Sequence, residues 1–137
     1  MSLSPPLSLP AILVVDDHPV AREPLAKLLR YEGYDAVCAG NGVEALESMS
    51  LSRPDLILLD VMMPKMNGLD FLEVVRAHAR FRDIPVIALT GSMDTKQIGR
   101  LHALGVVEVL TKARFTVELL MEHIRTHAPQ GGAAVAK

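Results

Sequence analysis

Five short apolar runs alternate with five segments of helical periodicity along this chain of 137 residues. The apolar runs cover residues 11–15, 35–39, 56–59, 84–89 and 106–110. The segments with helical spacing cover residues 19–31, 42–49, 69–80, 94–103 and 116–126. Continuous apolar runs are typical of parallel strands that helices cover on both faces. The alternation therefore predicts an α/β fold with a doubly wound, five-stranded parallel sheet and five helices, for which the strand order 2-1-3-4-5 is suitable.

Two of the predicted helices contain residues that disfavour a helix. Pro24 lies inside the first helix and lacks the N–H that would bond to the carbonyl of Val20, so we expect it to bend or shorten this helix. Gly99 lies inside the fourth helix, which is the weakest by pattern because it has few apolar anchors. A helix of low intrinsic stability is a candidate moving part.

Composition and charge limit the classes of partner. Half of the residues are hydrophobic, 22% are charged, and the net charge is −2 with both signs dispersed along the chain. This distribution gives no large basic field for nucleic acid or anionic lipid. No window approaches the roughly 18 uninterrupted apolar residues of a membrane-spanning helix. We therefore expect no nucleic-acid partner and no membrane partner for this chain.

The cysteine and histidine residues show no pattern of a nucleophile or a metal site. Cys38 is the only cysteine and lies in an apolar run, so we interpret it as a small buried hydrophobe in a reducing cytoplasm. The histidines lack ligand spacing, and we interpret each as a surface residue; they are residues 18, 78, 102, 123 and 127.

The expected organisation is a single domain with short flanking segments. We expect residues 1–10 to be a flexible lead-in and not a signal peptide, because they carry no positive side chain. Residues 11–127 form the domain, and residues 128–137 have the composition of a flexible tail or the start of a linker.

Polar side chains follow four of the five predicted strands at the point where each strand ends. They are Asp16 and Asp17, then Asp60, Thr90 and Lys112. In the order 2-1-3-4-5 these four strands are contiguous, and ligands bind outside the carboxyl ends of such strands. Crowded carboxylates repel unless a proton or a divalent cation is present, and oxygen-only ligands favour Mg²⁺ over zinc or copper. With a lysine and a hydroxyl beside them, these groups suit phosphoryl transfer.

Four motifs resemble the receiver domain of bacterial two-component response regulators. They are VVDDHP, LLDVMMPKMNG, ALTG and LTK, which occur in the same order and at the same spacing. The resemblance covers residues 11–127 and implies a flavodoxin-like fold with Asp60 as the phosphoacceptor. It also implies that Asp17 and Asp60 bind Mg²⁺ directly, together with the backbone carbonyl of Met62. Asp16 would act on the ion through a water molecule.

The same resemblance implies the residues that contact the phosphoryl group and those that switch. Lys112 would pair with the phosphoryl oxygens, and Thr90 would move to hold one of them, next to the loop at Gly91. Met62 and Ser92 would flank the path of the attacking water and so tune the lifetime of the phosphoryl group.

Two residues near the end of the fifth strand depart from the family pattern. Val109 occupies a position that is usually aromatic and coupled to the movement of Thr90, which argues against the usual signalling route. Ala113 replaces a proline that usually follows the lysine in a cis peptide. The cis form costs about 0.5–1 kcal/mol before proline but roughly 2.5–4 kcal/mol before alanine, so we expect a trans bond between Lys112 and Ala113.

These residues bear on three candidate functions. The leading one is a phosphorelay signalling module, not a turnover enzyme, that receives its phosphoryl group from a sensor histidine kinase or a histidine phosphotransfer protein. It would then change the face of the fourth helix, fifth strand and fifth helix for a downstream protein. The alternative is a receiver-like interaction module that does not depend on phosphorylation, which Val109 favours. The third function, an Asp-nucleophile phosphohydrolase, is disfavoured. Such enzymes typically have a D-x-D motif on the first strand, whereas Asp16 and Asp17 are adjacent here.

Overall fold

Strands and helices alternate along the chain in the computed structural model, which describes residues 9–61, 67–91, 94–112 and 114–128. The strands are β1 (Ala11–Val15), β2 (Asp35–Ala39), β3 (Leu56–Asp60), β4 (Val86–Thr90) and β5 (Glu108–Thr111). The helices are α1 (Pro19–Tyr31), α2 (Gly42–Leu51), α3 (Gly68–Ala77), α4 (Thr95–Ala103) and α5 (Val117–His127). All ten predicted elements are present, and the predicted fold class is confirmed.

The sheet has the predicted order, β2-β1-β3-β4-β5, and each neighbouring pair of strands is parallel. In the register of the central strands, Asp60 lies beside Leu89 and Thr90 beside Thr111. The carboxyl ends of β1, β3, β4 and β5 therefore meet at one edge of the sheet.

The sheet separates two hydrophobic cores. In β1, Leu13 and Val15 belong to the core covered by α2, α3 and α4, whereas Ile12 and Val14 belong to the core covered by α1 and α5. Every residue of β3 and β4 is buried. Because interiors of this kind are close-packed, the central strands hold their polar ends in fixed positions.

Helix α1 runs through Pro24 to Tyr31, so of the two expected effects, bending or shortening, the shortening does not occur. The proline removes the hydrogen bond to the carbonyl of Val20, but Pro24 is exposed and the Val20 residue is 88% exposed. Water can therefore satisfy the carbonyl that the missing N–H leaves open. Pro19 occupies the first turn, where a proline has no N–H bond to lose.

Helix α3 ends at Ala77, three residues before the predicted end. The N–H of His78 donates to the carbonyl of Val75, and the N–H of Phe81 donates to the carbonyl of His78, which turns the chain. The Phe81 ring enters the core and stacks on the ring of His78 at a centroid distance of 4.2 Å. The helix therefore ends early, because the turn allows the Phe81 ring to be buried.

Among the described residues, no helix combines the length and the apolar character that crossing a membrane requires.

Candidate functional site

Asp60 is the last residue of β3 and lies at the edge where the four strand ends meet. Its residue is 1% exposed, and Nζ of Lys112 lies 3.3 Å from its Oδ2. Lys112 follows β5 directly, and its backbone N–H donates to the carbonyl of Thr90 at 2.8 Å. This bond fixes the lysine backbone against β4. A buried carboxylate is thus held beside a lysine whose side chain remains 47% exposed.

Asp16 and Asp17 follow β1 and approach Asp60 from the neighbouring strand. The backbone N–H of Asp16 donates to the carbonyl of Ala39 at 3.0 Å, which extends the pairing of β1 with β2. Oδ1 of Asp16 accepts the backbone N–H of His18 at 2.9 Å, so this carboxylate also helps to fix the start of α1. The side chain of Asp16 is 8% exposed and that of Asp17 is 21% exposed.

These carboxylates form one acidic cluster, in which Asp16, Asp17, His18 and Asp60 each offer a ligand atom within 4.8 Å of the others. Oδ1 of Asp17 is buried and accepts no hydrogen bond from the described part of the chain. Nδ1 of His18 lies 3.1 Å from this oxygen, but the two atoms do not have hydrogen-bond geometry. The distance suits an ion pair when the imidazole is protonated. A buried carboxylate oxygen requires a donor or a cation. The three carboxylates of the cluster therefore fit a hard divalent cation such as Mg²⁺.

The remaining predicted site residues lie on β4, β5 and the loops that follow them. Thr90 ends β4 and is fully buried. Gly91 is exposed, and a Cβ at its position would meet no heavy atom within 4 Å. Val109 is half-buried and packs against the core covered by α2, α3 and α4. The predictions on Met62, Ser92 and the bond to Ala113 fall on residues outside the described ranges.

Gly68 brings the start of α3 close to the end of β3, although the sequence does not mark it as a site residue. Its N–H donates to the carbonyl of Val61 at 2.9 Å, and a Cβ at its position would lie 2.7 Å from Cα of Val61. No side chain fits so close to a backbone atom, so only glycine allows α3 to begin this close to Val61. The Asn67-Gly68 pair signals a turn in the sequence, but not this close approach.

Cys38 is half-buried and packs against the core covered by α1 and α5, so it is less buried than the sequence predicts. Burial raises the pKa of the Cys38 thiol, and the negative charge of Glu23 acts in the same direction against the opposing charges of Arg22 and Arg30. The nucleophilic form of a cysteine is the thiolate. At neutral pH this thiol is therefore protonated and acts as a small apolar side chain.

A family model described as the response regulator receiver domain matches residues 12–125, from β1 into α5. The chain belongs to this family. Receiver domains are the signalling modules of two-component systems and act within phosphorelays. The prediction of the family from the four motifs is confirmed.

Solved structures agree with this assignment. The chemotaxis protein CheY4 of Vibrio cholerae is 29% identical and superposes with a TM-score of 0.81, covering 88% of this chain and 99% of that one. A response regulator receiver protein of Pseudomonas putida is 32% identical, also with a TM-score of 0.81, and the match covers 87% of this chain and 98% of that one. The receiver domain described above accounts for nearly all of each neighbour.

A curated relative is longer than this chain. The DNA-binding response regulator MtrA of Mycolicibacterium smegmatis is 45% identical over 87 residues, which are 64% of this chain and 37% of that protein. The chain therefore spans less than half the length of this relative, and the similarity concerns the receiver part.

Proposed function

We propose that this receiver domain accepts a phosphoryl group on Asp60. The observation that carries the proposal is the buried Asp60 carboxylate with Nζ of Lys112 at 3.3 Å and with Asp16 and Asp17 in the same cluster. A carboxylate at such an edge combines a nucleophilic oxygen with a positive charge that can balance the incoming phosphoryl oxygens.

In the proposed transfer, a carboxylate oxygen of Asp60 attacks the phosphorus of a phosphohistidine on a histidine kinase or a histidine phosphotransfer protein. A P–O bond forms, the P–N bond breaks, and the leaving imidazole keeps the bonding electrons. Lys112 contacts the phosphoryl oxygens, and the hydroxyl of Thr90 donates to one of them. Met62 and Ser92 would tune the lifetime of the product through access of water, as the family resemblance implies.

Mg²⁺ is the cofactor that the donor set suits. Asp17, Asp60 and the backbone carbonyl of Met62 would hold it, with Asp16 acting through a water. When bound, the ion neutralises the negative charge that otherwise repels an anionic donor. Asp16 also positions the start of α1 through its bond to His18, so removal of its carboxylate affects structure as well as ion binding.

Intact mass spectrometry after incubation with a small acyl phosphate tests the proposal. We expect the protein to gain one phosphoryl group only when Mg²⁺ is present, because the clustered carboxylates need neutralisation before the donor approaches. Asp60→Asn should gain none. Asp70→Asn, which changes an exposed carboxylate on α3, is the matched control and should label like the wild type. Equal labelling of Asp60→Asn, or labelling that a chelator leaves unchanged, would reject the assignment.

Val109 favours a second candidate, an interaction module whose output face does not respond to phosphate. This half-buried, β-branched side chain is stiff and has no ring to exchange between exposed and buried positions. If phosphorylation does signal, we expect it to act through α4 and the loop at Gly91. Hydrogen exchange with and without beryllofluoride separates the candidates: protection changes in α4 support the switch, and an unchanged α4, β5 and α5 support the constitutive module.

We further propose that a downstream protein binds the face formed by α4, β5 and α5, and that the chain itself does not contact nucleic acid. The net charge of −2 supports the absence of nucleic-acid contacts, since binding to DNA phosphates requires a local concentration of Lys and Arg side chains. The DNA-binding relative has additional sequence outside the matched part.

A further inference from the structure

Two histidines of α5 and one glutamate of β5 form a cluster separate from the acidic site. His123 and His127 are one helical turn apart, so their side chains lie on the same face of α5. Nδ1 of His123 lies 3.4 Å from Oε2 of Glu108, and Nε2 of His127 lies 3.5 Å from the same oxygen. Each histidine side chain is 24% exposed, and that of Glu108 is 33% exposed. Both histidines are thus partly exposed, as the sequence predicts, but they also share an acidic partner that their spacing did not reveal.

The spacing of these atoms is that of a metal site. The three potential ligand atoms all lie within 4.8 Å of one another. A tetrahedral ion with bonds of about 2.0–2.1 Å separates its ligand atoms by roughly 3.3–3.4 Å, close to the 3.4 Å and 3.5 Å that separate the histidine nitrogens from Oε2 of Glu108. Small changes of side-chain torsion would be enough to direct all three atoms to one centre.

We propose that Glu108, His123 and His127 bind a divalent transition metal of the zinc class. Two imidazoles and a carboxylate suit such an ion and do not suit Mg²⁺, which prefers oxygen ligands. Partial exposure leaves room for water, or a side chain of a partner, to complete the coordination. Glu108 begins β5 and Lys112 follows its end, so the two Cα atoms are separated by about 13 Å at the usual rise of a strand. The metal site is thus distinct from the acidic cluster and does not depend on the proposed phosphorylation.

The site would join β5 to α5 on the face where we propose that a downstream protein binds. Glu108 comes from the edge strand of the sheet, and both histidines come from the last two turns of the final helix. A bound ion would therefore hold α5 against the sheet and contribute stability to the folded state alone.

Calorimetric titration of the tag-free protein with Zn²⁺, in excess Mg²⁺, tests this proposal. We expect one saturable Zn²⁺ ion per chain and a higher unfolding temperature. Loss of a residue that only orients a metal ligand weakens metal binding roughly 10- to 100-fold. We expect at least this loss of Zn²⁺ affinity in each variant that removes a ligand: His123→Gln, His127→Gln and Glu108→Gln. His102→Gln, which changes an exposed histidine on α4, is the matched control and should bind Zn²⁺ like the wild type.

Three further measurements test the same proposal. The imidazole NMR signals of His123 and His127 should shift on addition of Zn²⁺, and circular dichroism of each metal-free variant should match the wild type. Asp60→Asn should leave the affinity for Zn²⁺ unchanged. Absence of saturable binding, equal affinity of His123→Gln and His102→Gln, or loss of binding in Asp60→Asn would overturn the proposal.

Discussion

Asp16 illustrates how one residue at the strand edge combines structure and chemistry. Its Oδ1 accepts the N–H of His18, and its backbone carbonyl accepts a bond from the Arg22 guanidinium at 2.8 Å. These bonds fix the turn between β1 and α1. The carboxylate nevertheless remains in the acidic cluster with Asp17 and Asp60. The geometry of the proposed site therefore depends on the start of α1 as well as on the sheet.

Gly68 provides a residue-scale prediction. Gly68→Ala should destabilise the protein by about 1–3 kcal/mol, because the added Cβ would lie 2.7 Å from Cα of Val61 and force the backbone after Asp60 to move. Urea unfolding gives the free energy, and the rate of labelling by an acyl phosphate should fall as well.

Gly99→Ala is the matched control for this substitution. Gly99 lies inside α4, and a Cβ there would meet no heavy atom within 4 Å. The free energy of unfolding of this variant should rise by about 0.5–1 kcal/mol, since alanine stabilises a helix interior relative to glycine. Equal effects of the two substitutions would show that close backbone contact at Gly68 does not govern the loop.

At the scale of elements, Arg76 joins α3 to the loops that precede β4 and β5. Its guanidinium donates to the carbonyls of Leu104, Arg82, Ile84 and Gly105 at distances of 2.7–3.2 Å. Burial lowers the pKa of Arg76, and Asp83 opposes this shift, but an arginine remains charged in a protein. The side chain of Arg76 is accordingly half-buried.

Loss of the Arg76 guanidinium should therefore destabilise the fold. Arg76→Met should cost about 2–5 kcal/mol in urea unfolding, because several carbonyls lose a charged donor. Arg100→Met is a control of the same chemistry: Arg100 pairs with Glu73 at 3.3 Å, but both side chains are more than half exposed. Such surface pairs contribute about 0–1 kcal/mol. If Arg76→Met lowers the free energy of unfolding by no more than Arg100→Met, the bonds of Arg76 to the carbonyls do not stabilise the fold as proposed.

At the scale of the whole molecule, the sequence predicts the sheet because burial on both faces makes each strand a continuous apolar run. It also predicts which carboxylates meet, since Asp16, Asp17 and Asp60 each end such a run. Contacts between distant elements are not encoded in local periodicity. The cluster of His123 and His127 with Glu108 depends on how α5 packs on β5, and the four-residue spacing of the histidines was its only sequence signal.

Borohydride reduction tests most directly which carboxylate accepts the phosphoryl group. Borohydride converts an aspartyl phosphate to homoserine, which peptide mass spectrometry can locate after labelling with an acyl phosphate and Mg²⁺. We predict homoserine at position 60 alone, because Asp60 is the cluster carboxylate in contact with Lys112. Conversion at Asp16 or Asp17, with Asp60 unchanged, would contradict the central claim.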